Sequence, residues 1–372
     1  MNETKQFAVS GYYGCGNAGD EAVLAGIRES LARRAGDSVR LLALSQNPEE
    51  TTKLHGIPAA DRMNFSALRT AMRESDLLLS GGGSLLQDTT SVRSLLYYLW
   101  VARVALHTPI PVMFYAQGIG PLRRAMSRTL VRMVANRAAS ITVRDESSAR
   151  LLTALGVSGP PIEVTADPAF ALTPAKQEII APLLRAEGLP TDKPMIGVAL
   201  RPWGGAGESP VVSYARLLTE LARQTEAQIV LIPMQTPNDV EFAAQVVEKT
   251  GGAGNFSILR GNYAPDVLLG IIGQMQTVVA MRLHALIFAA RTGVPPFALA
   301  YDPKVEHLMQ GLGLEDSMEH WRGFEPAEVA ARVALLANER EARSAALQAQ
   351  MPELERKALR NADCAIQAAN KG

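Results

Sequence analysis

Short apolar runs alternate with longer segments in which apolar positions recur every three to four residues. That alternation predicts βαβ units and parallel sheets. In the first half, strands are expected at 7–10, 39–45, 76–80, 112–116, 140–143 and 162–165, with helices opening near Asp20, Phe65, Ser91, Arg123 and Glu146. The texture changes between Asp167 and Pro174, where two prolines suit a connecting segment. A second series follows, with strands at 195–200, 228–232, 256–259, 277–280 and 296–299. Helices are expected there at 214–224, 239–250, 264–273, 283–292 and 304–311. The stretch from Glu325 to Ala369 is rich in Ala, Leu, Glu and Arg and predicts one or two long helices. The expected architecture is α/β: two Rossmann-like domains facing a cleft, at residues 1–172 and 173–340, then a helical tail at 341–372.

Composition alters this picture little but narrows the function. The 372 residues are 47% hydrophobic and 20% charged, an ordinary globular balance. Lys plus Arg and Asp plus Glu each number 37, so the net charge is zero. Non-specific nucleic-acid binding needs a basic excess and is disfavoured, while a locally cationic cleft remains open. The two cysteines, Cys15 and Cys364, lie at opposite ends without metal-ligand spacing. No metal and no cofactor are expected, and a reducing compartment is the simpler reading. The first residues lack a basic segment followed by an apolar one, and no run reaches the ~18 apolar residues of a spanning helix. The expectation is a cytoplasmic protein, working at the inner face of the membrane if its substrate is a lipid.

The chemistry gathers where strands end. Gly14, Gly16 and Gly19 form a G-x-G-x-x-G between a strand and a helix, the context of a dinucleotide fingerprint. Such a site needs an acid ~20 positions on, at the end of the second strand. That strand ends Ser45-Gln46-Asn47, and Asp20 and Glu21 would repel a pyrophosphate at the helix start. The loop therefore reads as a tight turn in which Asn17 and Asp20 contact a sugar, or in which Asp20 merely caps the helix. Gly81-Gly82-Gly83, after an apolar strand, leave bare N–H groups, so Gly82 and Gly83 are candidate contacts for a phosphate or sugar. Gln117 is either a sugar contact or part of a plain turn.

Cations stand at further strand ends. Arg144 follows Ile141-Thr142-Val143, where it binds a carboxylate or phosphate, or pairs with Asp145 or another acid. Arg201 follows Val198-Ala199-Leu200, with Trp203 either stacking on a sugar or packing at a hinge. Arg282 and His284 stand together at a strand-to-helix junction, and Lys304 opens a later helix. A cation is unfavourable at a helix start unless an anion is nearby. The segment Arg123–Arg137 has five arginines and no acid. It reads as a solvated basic face or as a peripheral membrane contact.

Taken in order, these motifs resemble the polysaccharide pyruvyl transferases, nearest the CsaB type. The residues that carry the resemblance are Gly11 to Glu21, Gly81-Gly82-Gly83, Gln117-Gly118-Ile119-Gly120-Pro121, Val143-Arg144-Asp145, Asp167-Pro168-Ala169-Phe170, Arg282-Leu283-His284-Ala285 and Tyr301-Asp302-Pro303-Lys304. The resemblance spans roughly residues 8–308 and implies a GT-B-like fold. It implies phosphoenolpyruvate as donor, with anchoring positions at Arg144, His284 and Lys304 and with Arg282 sharing a motif. It implies an acceptor side in the first domain and a donor side in the second. The acceptor would be a polysaccharide or lipid-linked oligosaccharide precursor of the cell wall, of the kind that anchors S-layer proteins. Cys15-Gly16 depart from the family's pattern, which bears on the acceptor loop rather than the donor site.

The residues and the resemblance together predict four cations (Arg144, Arg201, Arg282 and Lys304) around the donor's carboxylate and phosphate, with His284 as the catalytic acid–base group. Three other functions fit parts of the pattern. These are a nucleotide-sugar glycosyltransferase on the same fold, a dinucleotide dehydrogenase, and a non-catalytic envelope-glycan binding protein.

Overall fold

The structure is a computed structural model that describes residues 4–89, 91–189, 193–203 and 209–371. It divides into two compact units, Met1–Leu172 with Glu353–Gly372, and Thr173–Pro352.

Unit 1 runs β1 (Lys5–Tyr13), α1 (Ala18–Ala35), β2 (Val39–Ser45), α2 (Pro48–His55), β3 (Ala59–Asp61), α3 (Phe65–Arg73), β4 (Leu77–Leu86), α4 (Val92–Ala105), β5 (Val112–Ile119), α5 (Ala125–Ala135), β6 (Ser140–Val143), α6 (Glu146–Ala154) and β7 (Ile162–Val164). Its seven strands are ordered β3-β2-β1-β4-β5-β6-β7, with parallel pairing throughout. The order reverses between β1 and β4, the switch point at which open α/β sheets bind ligands. Right-handed crossovers then decide which face each helix covers. Helices α3 to α6 share one core with the sheet, through Leu68, Leu95, Val131 and Leu152 among others. Helix α1 covers the opposite face through Val23, Leu24 and Ile27.

Unit 2 runs α7 (Gln177–Ala186), β8 (Met195–Ala199), α8 (Pro210–Gln224), β9 (Gln228–Leu231), α9 (Asn238–Lys249), β10 (Phe256–Ile258), α10 (Pro265–Ile272), β11 (Thr277–Ala280), α11 (Leu283–Arg291), β12 (Pro296–Ala300), α12 (Pro303–Gly311), β13 (Met318–His320) and α13 (Pro326–Asn338). Its order, β10-β9-β8-β11-β12-β13, repeats that of unit 1 with one strand fewer, again all parallel. The last helix, α14 (Arg340–Ala369), contributes to both units.

The C-terminal helices answer a need that the topology creates. In each sheet the first two crossovers cover only half of their face. In unit 1, Ala362, Ala365 and Ala368 of α14 join Met113, Tyr115 and Ala116 of β5 in one core. Asn361, fully buried, donates to the Ala166 carbonyl at 3.1 Å and hydrogen-bonds Thr165 Oγ1 at 2.7 Å. Arg360 grips Glu163 through two bonds of 2.8 and 3.0 Å. In unit 2, Val329, Ala330 and Val333 of α13 pack with Val279 and Phe297 in the same manner.

Helix α7, which buries Ile180 and Leu184, was not expected from the sequence, and neither were three shorter elements. Helix α2 buries only Thr51 and His55, so it has no apolar period, although Asn47 caps it and Gly56 ends it in the left-handed region. Strands β3 and β13 have three residues each, and none is fully buried. The glycines also differ from expectation. Strand β4 does not stop before Gly81 but continues to Leu86, pairing Gly81 with Tyr115 and Gly83 with Gln117.

Candidate active site

At the switch point of unit 1, the loop after β1 is braced from within. Asn17 caps α1, its Oδ1 accepting from Gly19 N at 3.0 Å and Asp20 N at 3.4 Å. Glu21 is buried; it accepts from Gly14 N at 2.8 Å and bonds His55 Nε2 at 2.7 Å. Asp20 lies beside β4, since a Cβ added to Gly83 would stand 3.2 Å from its Oδ1. Burial pushes the Cys15 thiol up, which keeps it protonated and unsuited to nucleophilic work.

The glycine triplet has a packing reason. A Cβ on Gly82 would come within 1.8 Å of Val23 Cγ1, and its φ is +66°, so only glycine lets α1 close on β4 there. Gln117, expected as a sugar contact, has no exposed surface. Its Nε2 donates to the Ser80 carbonyl at 2.9 Å, tying β5 to β4, and its Oε1 has no partner among the described residues. The side chain belongs to the sheet interior because β5 is covered on both faces.

Four of the sequence motifs meet at one guanidinium. Arg144 follows Val143, whose register partner is Gln117, so its side chain lies over Gly118. Nη1 donates to Asp167 Oδ2 at 2.7 Å and Nη2 to Ser84 Oγ at 2.8 Å, with Arg144 and Asp167 side chains only 7% and 3% exposed. The acid that pairs with Arg144 is thus Asp167. Asp145 instead caps α6, accepting from Ser148 N at 2.8 Å. A Cβ on Gly118 would stand 2.9 Å from Nη2, so that glycine makes room for the arginine.

Unit 2 presents the other candidates on three neighbouring strand ends. Ala199 of β8 pairs with Ala280 of β11, so Arg201 and Arg282 leave their strands at matching positions. Arg282 holds Asp239 with a bidentate fork, Nε to Oδ2 at 2.9 Å and Nη2 to Oδ1. Asp239, almost fully buried, also accepts from Met234 N and Gln235 N at 3.1 Å each, so the pair fixes the loop after β9. His284 sits in the first turn of α11, half-buried, with Nε2 enclosed. Arg201 donates to the Tyr301 hydroxyl at 2.7 Å and lies over the rings of Trp203 and Tyr301, 4.8 Å from each centroid. It has no carboxylate partner among the described residues, and its Nε has no partner there. Lys304, in the first turn of α12, stands 5.7 Å from the Tyr301 ring centroid and 3.6 Å from Asp302 Oδ2. Trp203 is thus engaged with Arg201 and Tyr301. Tyr301 joins two predicted cations and was itself not singled out, although it stands in a recognised motif.

A second caged arginine escaped the sequence reading altogether. Arg62, just after β3, lies over Tyr97 at 4.7 Å and near Tyr12 and Tyr98 at 5.8 and 5.7 Å. Its Nη1 donates to the Gly11 carbonyl and the Tyr98 hydroxyl at 3.4 Å each, and no carboxylate faces it among the described residues. Nothing in the short polar stretch around it signals this, because the three rings come from β1 and α4. The candidate residues therefore fall into two groups. Asn17, Asp20, Gly82, Gly83, Gln117 and Arg144 belong to unit 1, and Arg201, Arg282, His284 and Lys304 to unit 2.

A family model described as polysaccharide pyruvyl transferase matches residues 17–303, most of the chain. The chain belongs to this family. The family makes it a transferase, and no subtype is distinguished. Among curated protein sequences none matches at a significant level. Solved structures are similar in fold. A putative UDP-N-acetylglucosamine 2-epimerase from Listeria monocytogenes matches with TM-score 0.69 and 13% identity, covering 100% of this chain and 97% of that one. UDP-GlcNAc 2-epimerase from Neisseria meningitidis, bound to UDP-GlcNAc, matches with TM-score 0.64 and 15% identity over 99% and 100%. E. coli ADP-heptose LPS heptosyltransferase II matches with TM-score 0.53 and 15% identity over 91% and 99%. The pyruvyl transferase chain thus shares its two parallel-sheet α/β domains with GT-B glycosyltransferases and epimerases. Among the described residues, no helix is long and apolar enough to cross a membrane.

Proposed function

We propose that this family member takes phosphoenolpyruvate as donor and forms a pyruvate ketal on a sugar of a lipid-linked cell-wall polysaccharide precursor. The observation that carries the reading is the set of groups on the ends of β8, β11 and β12. Arg201 lacks a carboxylate among the described residues, and Lys304 shares its aromatic neighbour Tyr301. Arg282 and His284 stand on the adjoining strand end. A guanidinium held by rings rather than by an acid keeps its attraction for an anion, and the donor carries both a carboxylate and a phosphate.

In this reading Arg201, Arg282 and Lys304 hold the donor's charges. Arg144, an expected donor anchor, has two of its N–H groups already bound to Asp167 and Ser84 and acts in this reading as a brace within unit 1. One sugar hydroxyl attacks C2 of the enol phosphate, and C3 takes up a proton and becomes a methyl. The C2–O bond to phosphate then breaks. A second hydroxyl of the same sugar closes the ring and gives up its proton, leaving ketal and inorganic phosphate. His284 is the acid–base group for these transfers, as imidazole suits near-neutral pH. On the acceptor side, Asn17, Asp20 and the Arg62 cage offer amide, carboxylate and aromatic surfaces to a polyol.

The test measures thermal stabilisation by phosphoenolpyruvate, a nucleotide sugar and NAD in parallel, then phosphate release with donor plus acceptor glycan. The expected result is stabilisation by phosphoenolpyruvate and acceptor-dependent phosphate release. Stabilisation by the nucleotide sugar alone would replace this reading with glycosyl transfer. Binding of glycan without phosphate release would leave a non-catalytic binder.

A further inference from the structure

We infer that the outer surface of α3, α4 and α5 in unit 1 is a docking face for an anionic lipid bilayer. The inference goes beyond the transfer reaction and does not depend on the donor. These three helices lie on the same side of the sheet and share its core. Their outward residues are an unusual mixture. Six of the nine large apolar side chains exposed among the described residues are here or at the edge: Met63, Phe65, Leu96, Trp100, Met126 and Met133. Phe65 and Trp100 are 56% and 41% exposed and touch each other, ring centroids 6.0 Å apart, so α3 and α4 present one continuous aromatic patch.

The charge around that patch has one sign. Between Asp88 and Asp145 the chain carries eight arginines and no Asp, Glu or Lys, although its net charge is zero. On α4, Arg93, Leu96, Trp100 and Arg103 are all exposed at spacings of three, four and three, which places them on a single stripe. On α3, Phe65 and Arg69 are exposed one turn apart. On α5, Met126 and Met133 are exposed two turns apart, with Arg124 and Arg132 exposed beside them. Acids flank α3 at Asp61 and Glu74, and α4 and α5 contain none.

A protein partner that complemented this face would need an acidic surface with pockets for scattered aromatic and methionine side chains. An anionic bilayer supplies both parts without shape matching. Its headgroups attract the arginines, and its interface takes tryptophan and phenylalanine at the level where such amphipathic surfaces lie. The face also continues into the acceptor side. Tyr97 touches Trp100 at 6.1 Å and Arg62 at 4.7 Å, and Arg62 reaches the Gly11 carbonyl of the β1 loop. A bilayer seated on α3 to α5 would bring a lipid-linked sugar to that loop.

The experiment is co-sedimentation of the full chain with vesicles of phosphatidylcholine alone and of phosphatidylcholine with phosphatidylglycerol. The expected result is binding to the anionic vesicles only, weakening as salt is raised. Each arginine near the surface contributes roughly a fivefold factor, so Arg93→Gln, Arg103→Gln and Arg124→Gln together should weaken binding by roughly a hundredfold. Phe65→Ser with Trp100→Ser should weaken it by at least roughly tenfold at unchanged charge. All five positions are exposed, so melting temperature and phosphate release with a water-soluble acceptor fragment should stay at wild-type values. Absence of binding to anionic vesicles, or equal binding by both variants, overturns the inference. So does a concentration-dependent dimer that the aromatic variant abolishes, because a second copy would then cover the face. Phosphate release without vesicle binding would sink this inference alone, and vesicle binding without phosphoenolpyruvate turnover would sink only the proposed reaction.

Discussion

The two units carry the same two devices and surround them differently. Each has an arginine after an inner strand locked to a buried aspartate, Arg144 to Asp167 in unit 1 and Arg282 to Asp239 in unit 2. Each also has an arginine caged by rings with no carboxylate among the described residues, Arg62 and Arg201. In unit 2 the caged arginine leaves the first strand of the sheet, and Lys304 shares its cage. His284 stands on the adjoining strand end. In unit 1 the caged arginine follows the edge strand, and its neighbours are a carbonyl, a thiol and hydroxyls. An identical side chain thus adds to a cationic site in one half and to a polar aromatic one in the other. Under the proposed function, that contrast gives the trianionic donor to unit 2 and the neutral sugar to unit 1.

The largest effect should come from the imidazole that stands beside the cations of unit 2. His284→Ala is expected to lower turnover by about 10²- to 10⁴-fold, the usual contribution of a positioned acid–base group. Donor-induced thermal stabilisation should persist. Rapid-quench phosphate release checks this, and wild-type turnover in the variant would remove the imidazole from the chemistry.

Next is the braced arginine of unit 1. Arg144→Ala leaves Asp167 buried without its cation, which costs about 3–5 kcal/mol when one partner of a buried pair is removed. Calorimetry should show unit 1 melting early. A variant that melts like wild type and shows only a raised KM for the donor would make Arg144 a ligand contact first, and would erase the distinction from Arg201.

Most of the fold was legible because parallel strands buried on both faces read as apolar runs, and the helices between them kept their period. What escaped was short, polar or interrupted by proline, as α7 is at Pro182. Helix α2 has two buried residues, and β3 and β13 are too brief for a pattern. The candidate site was half legible for a related reason. Arg144, Arg201, Arg282, His284 and Lys304 are noticeable because each interrupts or follows an apolar run. Their pairings are not, since Asp167, itself in a recognised motif, and Asp239 lie 23 and 43 residues away and are brought in by the topology. Gln117 shows the opposite failure. It opens a motif that resembles a ligand loop, but β5 continues through it to Ile119, so the amide serves the sheet.

A smaller effect sharpens the contrast between the caged arginines. Arg201→Met keeps an unbranched chain between Trp203 and Tyr301 and removes the charge. A hydrogen bond to a charged group is worth about 1.5–3 kcal/mol, so the KM for phosphoenolpyruvate should rise by roughly ten- to hundredfold, read from initial rates of phosphate release. Arg62→Met should leave that KM unchanged and act on the acceptor KM instead. A shift of the donor KM by both variants would break the assignment of one substrate to each unit.

The smallest effect concerns Asn17, where capping and recognition can be separated. Its Oδ1 holds Gly19 N and Asp20 N, while Nδ2 has no partner among the described residues and remains able to donate to a sugar hydroxyl. Asn17→Ala removes both roles and should cost about 1 kcal/mol of stability. Asn17→Asp keeps the cap, since aspartate caps as well as asparagine, but it exchanges the donating amide for an acceptor. The expected outcome is wild-type melting with a raised acceptor KM and an unchanged donor KM. If Asn17→Asp matches wild type in both constants, Asn17 only caps α1, and the sugar must be held by Asp20 or by the rings around Arg62.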